Sequence, residues 1–506
     1  MPGRPHEDLT IFTDEDLTWV DPSRPAEPAP RPPPRPRRRP PPRRTARSDA
    51  AALVRAVSAI PLWALVLLVL GLAAGVAALA LRSEGLPGIQ SDPAPQQTVP
   101  AGGGAEEQGA ATSGPALKFG DQGGNVRGLQ AALNVLGLGP EADGFYTDAT
   151  VSAVASFQSS RGIEADGVAG PITSAALTAA LTARAREFAT TAGQGLTDAL
   201  AAKRVTAKDG VRYQGIIVDA LARLERLPAT RGAYVVVALR EIAGHAESYE
   251  GPRALALFTT IEATARHLAA HKLAEPQPDI TGPDGVVYRF SRAHGFQFHP
   301  IANFARLNRL AAKEKNEDAS RLSSSLVQRA VPAGNALTWE YYFPFGGPTR
   351  WTSGFAQAVA AQAFARAADL TGRQELLSTA RAAHLAIPAS LSLDIGGGRW
   401  VREYGFNDSP ILNAQLQSLV SLRNYVELTG DADARQLAAD METASRNLLN
   451  RFDTGCWSLY ALGGNPASLD YHTYHIQLLK QLARGAPGLW AETAERWEGY
   501  LSSGCG

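Results

Sequence analysis

The chain has 506 residues, with 49 Lys and Arg against 49 Asp and Glu, a length sufficient for two or three domains. The neutral total hides a local asymmetry: residues 31–55 carry nine Arg and one acid, whereas residues 7–21 are acidic. The two cysteines, Cys456 and Cys505, sit in neither a metal-binding nor a redox spacing, which excludes a zinc site of the usual kind. Aromatic residues make up only 7% and alanine is abundant, so helices are favoured over sheets. No nucleic-acid partner, metal or cofactor is expected.

Residues 1–55, with RPPPRPRRRPPPRR at their centre, cannot build a core and read as a disordered cytoplasmic tail. It is either held at an anionic leaflet or a ligand for a Pro-binding partner. Ala56 to Leu81 is a run of 26 uncharged, mostly apolar residues between Arg55 and Arg82. As a helix it would span roughly 39 Å, more than the ~30 Å hydrocarbon core, and it is predicted to be a transmembrane helix. The basic side is N-terminal, which places the tail in the cytoplasm and the later domains outside, on a single-pass membrane protein. A cleaved signal ending near Ala78-Leu79-Ala80 is the alternative, against which stands the long segment preceding the apolar run. Residues 82–115, rich in Pro, Gly, Ala and Gln, form a flexible linker.

Residues 116–182 read as a small unit of three helices, with stretches at Asn125 to Leu136 and Thr147 to Ser159. Ala142-Asp143-Gly144 recurs as Ala165-Asp166-Gly167, and each Asp-Gly turn precedes a Thr placed to begin a helix, Thr147 and Thr173. With Gly120-Asp121-Gln122-Gly123, Val126, Leu129-Gln130, Leu133, Phe157-Gln158 and Gly170-Pro171, the unit resembles the compact three-helix peptidoglycan-binding domain. Most of that signature is apolar core and turn glycine; the resemblance implies peptidoglycan as a partner.

From residue 183 to 506 the chain is largely helical, with amphipathic stretches at Thr197 to Val205, Gly215 to Arg226, Ala233 to His245 and Ala254 to His271. A polar, aromatic insert follows, Gly285-Val-Val-Tyr-Arg-Phe290, alternating like a strand, then His294 to Pro300; Tyr288, His294 and His299 are placed either to face a site or as loop residues. Leu-Thr-Gly closes two helices, at Gly372 and Gly430, 58 residues apart, as a left-handed C-cap demands. Second helices follow at Gln374 to Ile387 and Ala432 to Arg451, a stacked hairpin repeat. Gly396-Gly-Gly398 reads as a tight hairpin turn rather than a phosphate loop. The expected fold class is therefore mainly α: an (α/α) toroid-like helical-hairpin domain, a small three-helix domain and one transmembrane helix.

Between residues 340 and 485 lie Trp351-Thr-Ser-Gly-Phe-Ala-Gln357, Glu403-Tyr404, Ile411-Leu-Asn413, Asp453-Thr-Gly455, Ser458-Leu-Tyr460 and Asp470-Tyr-His-Thr-Tyr-His475. In this order and spacing they resemble the C-terminal domain of the D-glucuronyl C5-epimerases, which invert carbon 5 of glucuronate in a heparosan-type chain. The resemblance implies Glu403 and Tyr471 as acid–base groups and Tyr404 and Tyr460 as required tyrosines. It adds Trp351, Gln357, Asn413, His472 and His475 as substrate-binding candidates. The family carries a cation shortly after the tyrosine matching Tyr460, where this chain has Gly463; Arg402 and Arg350 are the candidate replacements. The β-rich domains that precede the helical domain in the animal enzymes have no counterpart before residue 340.

Inverting carbon 5 needs a base on one face, an acid on the other, and groups that stabilise the enediolate between them. A tyrosine serves because its pKa near 10 can be lowered by a nearby cation. Glu403 and Tyr404 lie on a strand-like loop where neighbours alternate faces, so one of the two is expected in the cleft. Tyr471, Tyr474, His475 and Leu478 share helical spacing. His472 and His475 lack a third ligand for a metal. The leading expectation is C5 epimerisation of a uronate polysaccharide. The alternatives are a lyase using the same proton abstraction, and a non-catalytic glycan-binding or wall scaffold. Cys456 and Cys505 form one disulfide or remain two thiols.

Overall fold

Most of the described chain is helical because Ala and Leu recur at helical spacing, and the strands are short hairpins between helices. The computed structural model describes residues 116–485 and 487–502. The tail, the apolar run 56–81 and the linker 82–115 lie outside the described residues. Among those described, no helix is long and apolar enough to cross a membrane.

The N-terminal module contains α1 (Gly124–Val135), α2 (Asp148–Ser160) and the start of α3 (Pro171–Ala201). It is built twice over. Gln130 Nε2 donates to Asp143 Oδ1, the Phe145 carbonyl and Thr150 Oγ1, while its Oε1 accepts from Gly144 N. Gln158 repeats this set with Asp166, Val168, Thr173 and Gly167. The threonines of the repeat are thus Thr150 and Thr173, inside the helices and bonded to glutamine. Thr147 is the N-cap of α2 without a side-chain bond, and Gly170 precedes the Pro171 that opens α3.

Helix α3 runs without a break past residue 182, and the expected helix Thr197 to Val205 is its last turns followed by a bend. Helices α4 (Ala207–Leu224), α5 (Ala229–Gly244) and α6 (Gly251–Ala270) follow. Helix α1 packs closely on α5: a β-carbon at Gly128 would lie 2.3 Å from the Thr230 carbonyl oxygen. Arg127, buried, pairs with Glu275.

A three-stranded antiparallel sheet comes next, β1 (Ile280–Thr281), β2 (Val287–Ser291) and β3 (Gly295–Phe298), with Arg289 opposite Gln297. Then helical hairpins stack. Helices α7 (Pro300–Ala312), α9 (Gly354–Thr371), α11 (Leu412–Thr429) and α13 (Leu469–Gly485) form an inner row, each packed on the next. Helices α8 (Asn316–Val327), α10 (Glu375–Ser390), α12 (Ala432–Leu448) and α14 (Leu489–Ser502) lie outside it. α9 and α11 are buried nearly all round, as inner helices must be. Gly372 and Gly430 close α9 and α11 at φ 72° and 71°, as their Leu-Thr-Gly endings predict. Between the helices lie hairpins β4–β5 (Val331–Ala333, Ala336–Thr338), β6–β7 (Glu340–Tyr341, Trp351–Thr352) and β8–β9 (Ser392–Ile395, Gly398–Val401). Gly396 and Gly397 make the two-residue turn of the last, both with positive φ.

Candidate active site

The inner helices all begin at one end, and a cavity opens there. His299 and Ile301 come from the start of α7, Ser353 and Phe355 from α9, Asn413 from α11, and Tyr471 and Tyr474 from α13. Arg289, Tyr341, Trp351, Glu403 and Tyr404 complete the wall. The space, including the part open to solvent, is about 530 Å³.

Local backbone bonds explain why Glu403 and Tyr404 converge here. Arg402 N donates to the Leu391 carbonyl, Gly354 N to that of Arg402, and Gly405 N to that of Thr352. The chain bends after β9 and is pinned against the N-terminus of α9. Strand alternation, expected to bring one of the two residues inward, has ended at Val401; both side chains reach the cavity.

Glu403 is 7% exposed, and among the described residues no donor is hydrogen-bonded to its Oε2. Burial lifts its pKa from 4.5 to about 7; the phenols of Tyr404 and Tyr460 pull in the opposite direction and are outweighed. Tyr460 does not line the cavity but backs it, its ring edge-on to Tyr471 at 4.8 Å. The expectation that a cation lowers a tyrosine is corrected: burial raises Tyr471 and Tyr460, the negative charge of Glu403 adds to the rise, and Arg289 only partly opposes it at Tyr471. Near neutral pH these phenols keep their protons. His299 caps α7 through Nδ1, which accepts from Ala302 N, and burial pushes it far down, so it is neutral.

Aromatic rings form the remaining walls. Trp351 stacks on Tyr341 at 3.9 Å, with Tyr404 edge-on to it at 5.5 Å, and its indole donates to the Phe343 carbonyl. Such faces suit the apolar side of a sugar ring. Asn413, 3% exposed, presents a side-chain oxygen that no donor among the described residues reaches.

Several residues singled out from sequence lie elsewhere. Gln357 is buried in α9, where its amide donates to the Leu337 and Ala383 carbonyls and braces the hairpin; it does not line the cavity. His472 and His475 are core residues sharing Ser458 Oγ, at 2.8 and 2.9 Å. Ser458 N donates to His472 Nδ1, so His472 carries its proton on Nε2 and gives it to the Trp497 carbonyl. Burial drives His475 down to about 3. Arg402 is held by Asp408 and the Ser390 carbonyl, and Arg350 is exposed and 4.0 Å from Glu340; neither lines the cavity. Asp453 ties down α14 through Arg496 and Trp497. Cys456 is disulfide-bonded, and the chain's other cysteine, Cys505, lies outside the described residues.

Of the upstream trio, His299 alone lines this cavity. His294 pairs with Glu241, and Tyr288 faces a second space on the other side of the sheet, about 820 Å³ with the part open to solvent included. The residue missed from sequence is Arg289, next to Tyr288 on β2 and therefore on the opposite face. The alternation of Gly285 to Phe290 was the available signal.

Two segments of the chain match known families. Residues 334–498 match the family model described as "D-glucuronyl C5-epimerase C-terminus", and residues 122–177 match "Putative peptidoglycan binding domain". The D-glucuronyl C5-epimerase of Caenorhabditis elegans is 30% identical over 179 residues, 30% of this chain and 29% of that protein. A "Probable N-acetylmuramoyl-L-alanine amidase" of Bacillus licheniformis is 43% identical over 88 residues, 17% of this chain and 25% of that one. The chain thus matches between 25% and 29% of the length of these relatives. A solved GH8 endo-beta-1,4-glucanase from an Achatina fulica gut metagenomic library aligns at TM-score 0.34 and 14% identity, over 44% of this chain and 74% of that one, too low to bear on fold or activity. The chain accordingly joins a region similar to a peptidoglycan-binding domain to a D-glucuronyl C5-epimerase-like C-terminal region.

Proposed function

We propose that the C-terminal domain inverts carbon 5 of a uronate within a polysaccharide, on a protein anchored by residues 56–81 and held to peptidoglycan by its module. The observation that carries this reading is the Glu403 carboxyl, buried in a cavity with its pKa lifted to about 7 and facing the same space as the Tyr471 phenol. A base must be ionised part of the time yet basic enough to take a carbon-bound proton, and a pKa near the working pH serves both needs.

In this reaction Glu403 removes the proton alpha to the uronate carboxylate from one face, and the Tyr471 phenol donates its proton to the other. The raised phenol pKa makes the resulting phenolate a strong base, which recovers a proton through Tyr460, in contact with Tyr471 and electrostatically linked to Glu403 and Tyr404. Glu403 gives its proton up to solvent between turnovers and the proton regained by Tyr471 comes from solvent, so protons balance over a turnover and solvent hydrogen enters carbon 5. No metal or cofactor takes part in these steps.

The test is to incubate the protein with glucuronate polymers of the heparosan type in heavy water. Deuterium at carbon 5 with the chain length unchanged is expected. An unsaturated product absorbing in the ultraviolet would mark a lyase instead. Polymer binding without exchange, unaltered by Glu403→Gln, would mark a glycan-binding scaffold.

A further inference from the structure

A uronate differs from a neutral sugar by a carboxylate, and a site that works on one needs a group to hold it. The geometry points to Arg289 as that group: it forms, with the N-terminal ends of the inner helices, a carboxylate subsite supplied in part by a hairpin outside the epimerase-matching region. This deepens the function proposed above and rests on it for the identity of the sugar.

Four observations converge. Among the described residues lining the cavity, Arg289 is the one arginine and there is no lysine. Strand parity fixes it there: β2 gives Tyr288 to the second cavity and Arg289, its neighbour, to this one. Asp279 holds the guanidinium, with Nε and Nη2 donating at 3.1 and 2.9 Å to Asp279 Oδ2. The side chain is 12% exposed, so it is pre-set and largely desolvated. Finally, α7, α9, α11 and α13 all direct their N-terminal ends at this space, where the partial positive charge of a helix favours an anion. These ends lie beside the buried Asn413 oxygen, which no donor among the described residues reaches and which is placed to accept from a sugar hydroxyl next to the carboxylate.

The arrangement takes over the role for which Arg402 and Arg350 were the sequence candidates. Arg289 also acts electrostatically on Tyr471 and Tyr341, both of which feel Glu403. Its charge is thus felt across the reacting centre, where it offsets the second negative charge that forms when the alpha proton leaves. A neutral hexose polymer lacks the group this subsite is built to hold.

The experiment uses the full chain, with glucuronate oligosaccharides for calorimetric binding and deuterium entry at carbon 5 for turnover, on wild type, Arg289→Gln and Arg289→Lys. Arg289→Gln is expected to raise Kd and KM about ten- to hundredfold, the usual range for losing a charged hydrogen-bonding partner. Arg289→Lys should recover a good part of that loss, and wild-type binding should weaken with salt more steeply than that of Arg289→Gln. Wild-type Kd in a folded Arg289→Gln overturns the inference. If Arg289→Gln does not fold, Arg289→Lys decides: binding of glucuronate above that of a matched neutral oligosaccharide supports the subsite, and equal binding of the two overturns it. Binding without exchange in the wild type would sink the epimerase reading while Kd still judges Arg289. Failure of the wild type to bind any uronate oligosaccharide overturns both.

Discussion

Replacing Glu403 by Gln should stabilise the protein above neutral pH while abolishing its exchange activity. The folded-state pKa is about 7 against an ordinary 4.5, because the charged form is desolvated. A carboxyl raised in this way contributes fully below its unfolded pKa, where both states are protonated. Its contribution is lost as pH rises from about 4.5 through about 7, since only the unfolded state ionises freely. At 1.36 kcal/mol per pKa unit, the rise corresponds to about 3 kcal/mol above pH 7. Over roughly 390 residues at ~2 cal/mol/K each, the unfolding entropy is about 0.8 kcal/mol/K, so the term moves Tm by about 4 °C. Gln keeps the shape and never ionises. Scanning calorimetry from pH 4 to 8 should therefore show the melting point of Glu403→Gln gaining on wild type by about that amount between pH 5 and 8. A difference that stays flat over this range would refute the assignment of a buried, proton-holding carboxyl.

Other consequences are equally direct. Tyr471→Phe keeps the ring contact with Tyr460 and deletes the phenol, so deuterium entry at carbon 5 should fall about 10²- to 10⁴-fold with the melting point little changed. Gln158→Ala removes three donated bonds and one accepted bond in the module's second repeat, leaving Gly167 N without its acceptor. The cost should be about 2–4 kcal/mol, read as faster hydrogen exchange in the 143–173 region. Gly128→Leu places a side chain where a β-carbon would already sit 2.3 Å from the Thr230 carbonyl oxygen. It should push α1 off α5 and speed exchange along both helices while Gln130 and Gln158 keep their turns protected.

How much of this was legible in the sequence follows from the range of each signal. Turn and cap chemistry is local, so the Leu-Thr-Gly helix ends, the Gly396–Gly397 hairpin and the Asp-Gly repeat could be read from neighbours. The motif order brought out Trp351, Glu403, Tyr404, Asn413 and Tyr471, which meet in one cavity. Helical spacing failed by one residue at His475. Tyr471 and Tyr474 face the cavity, while His475 turns a further 100° into the core, where it meets Ser458. Gln357 misled because a buried amide that braces backbone carbonyls looks, in sequence, like one that binds a ligand. Arg289 was out of reach for a different reason. Strand parity assigns it a face, but only the packing of β2 over the inner helix ends tells which face is the cavity. Thr147 is the threonine that the N-cap rule picks out locally, whereas the bond from Gln130 to Thr150 spans 20 residues and leaves no local signal.

Charge balance in the cavity leads to a last prediction. The helix ends and Arg289 favour a negative charge there, yet burial keeps a proton on Glu403 to about pH 7. An entering uronate brings a second negative charge and displaces water, and both effects disfavour ionisation of Glu403 further. The base must be ionised to act, so the pH profile of kcat, which reports the bound enzyme, should rise at higher pH than that of kcat/KM, which reports the free enzyme. Arg289 screens one carboxylate from the other, and Arg289→Gln should widen the gap. Coincident profiles in wild type would mean that the substrate carboxylate sits too far from Glu403 to be felt. A gap unaltered by Arg289→Gln would place the screening charge on some other group.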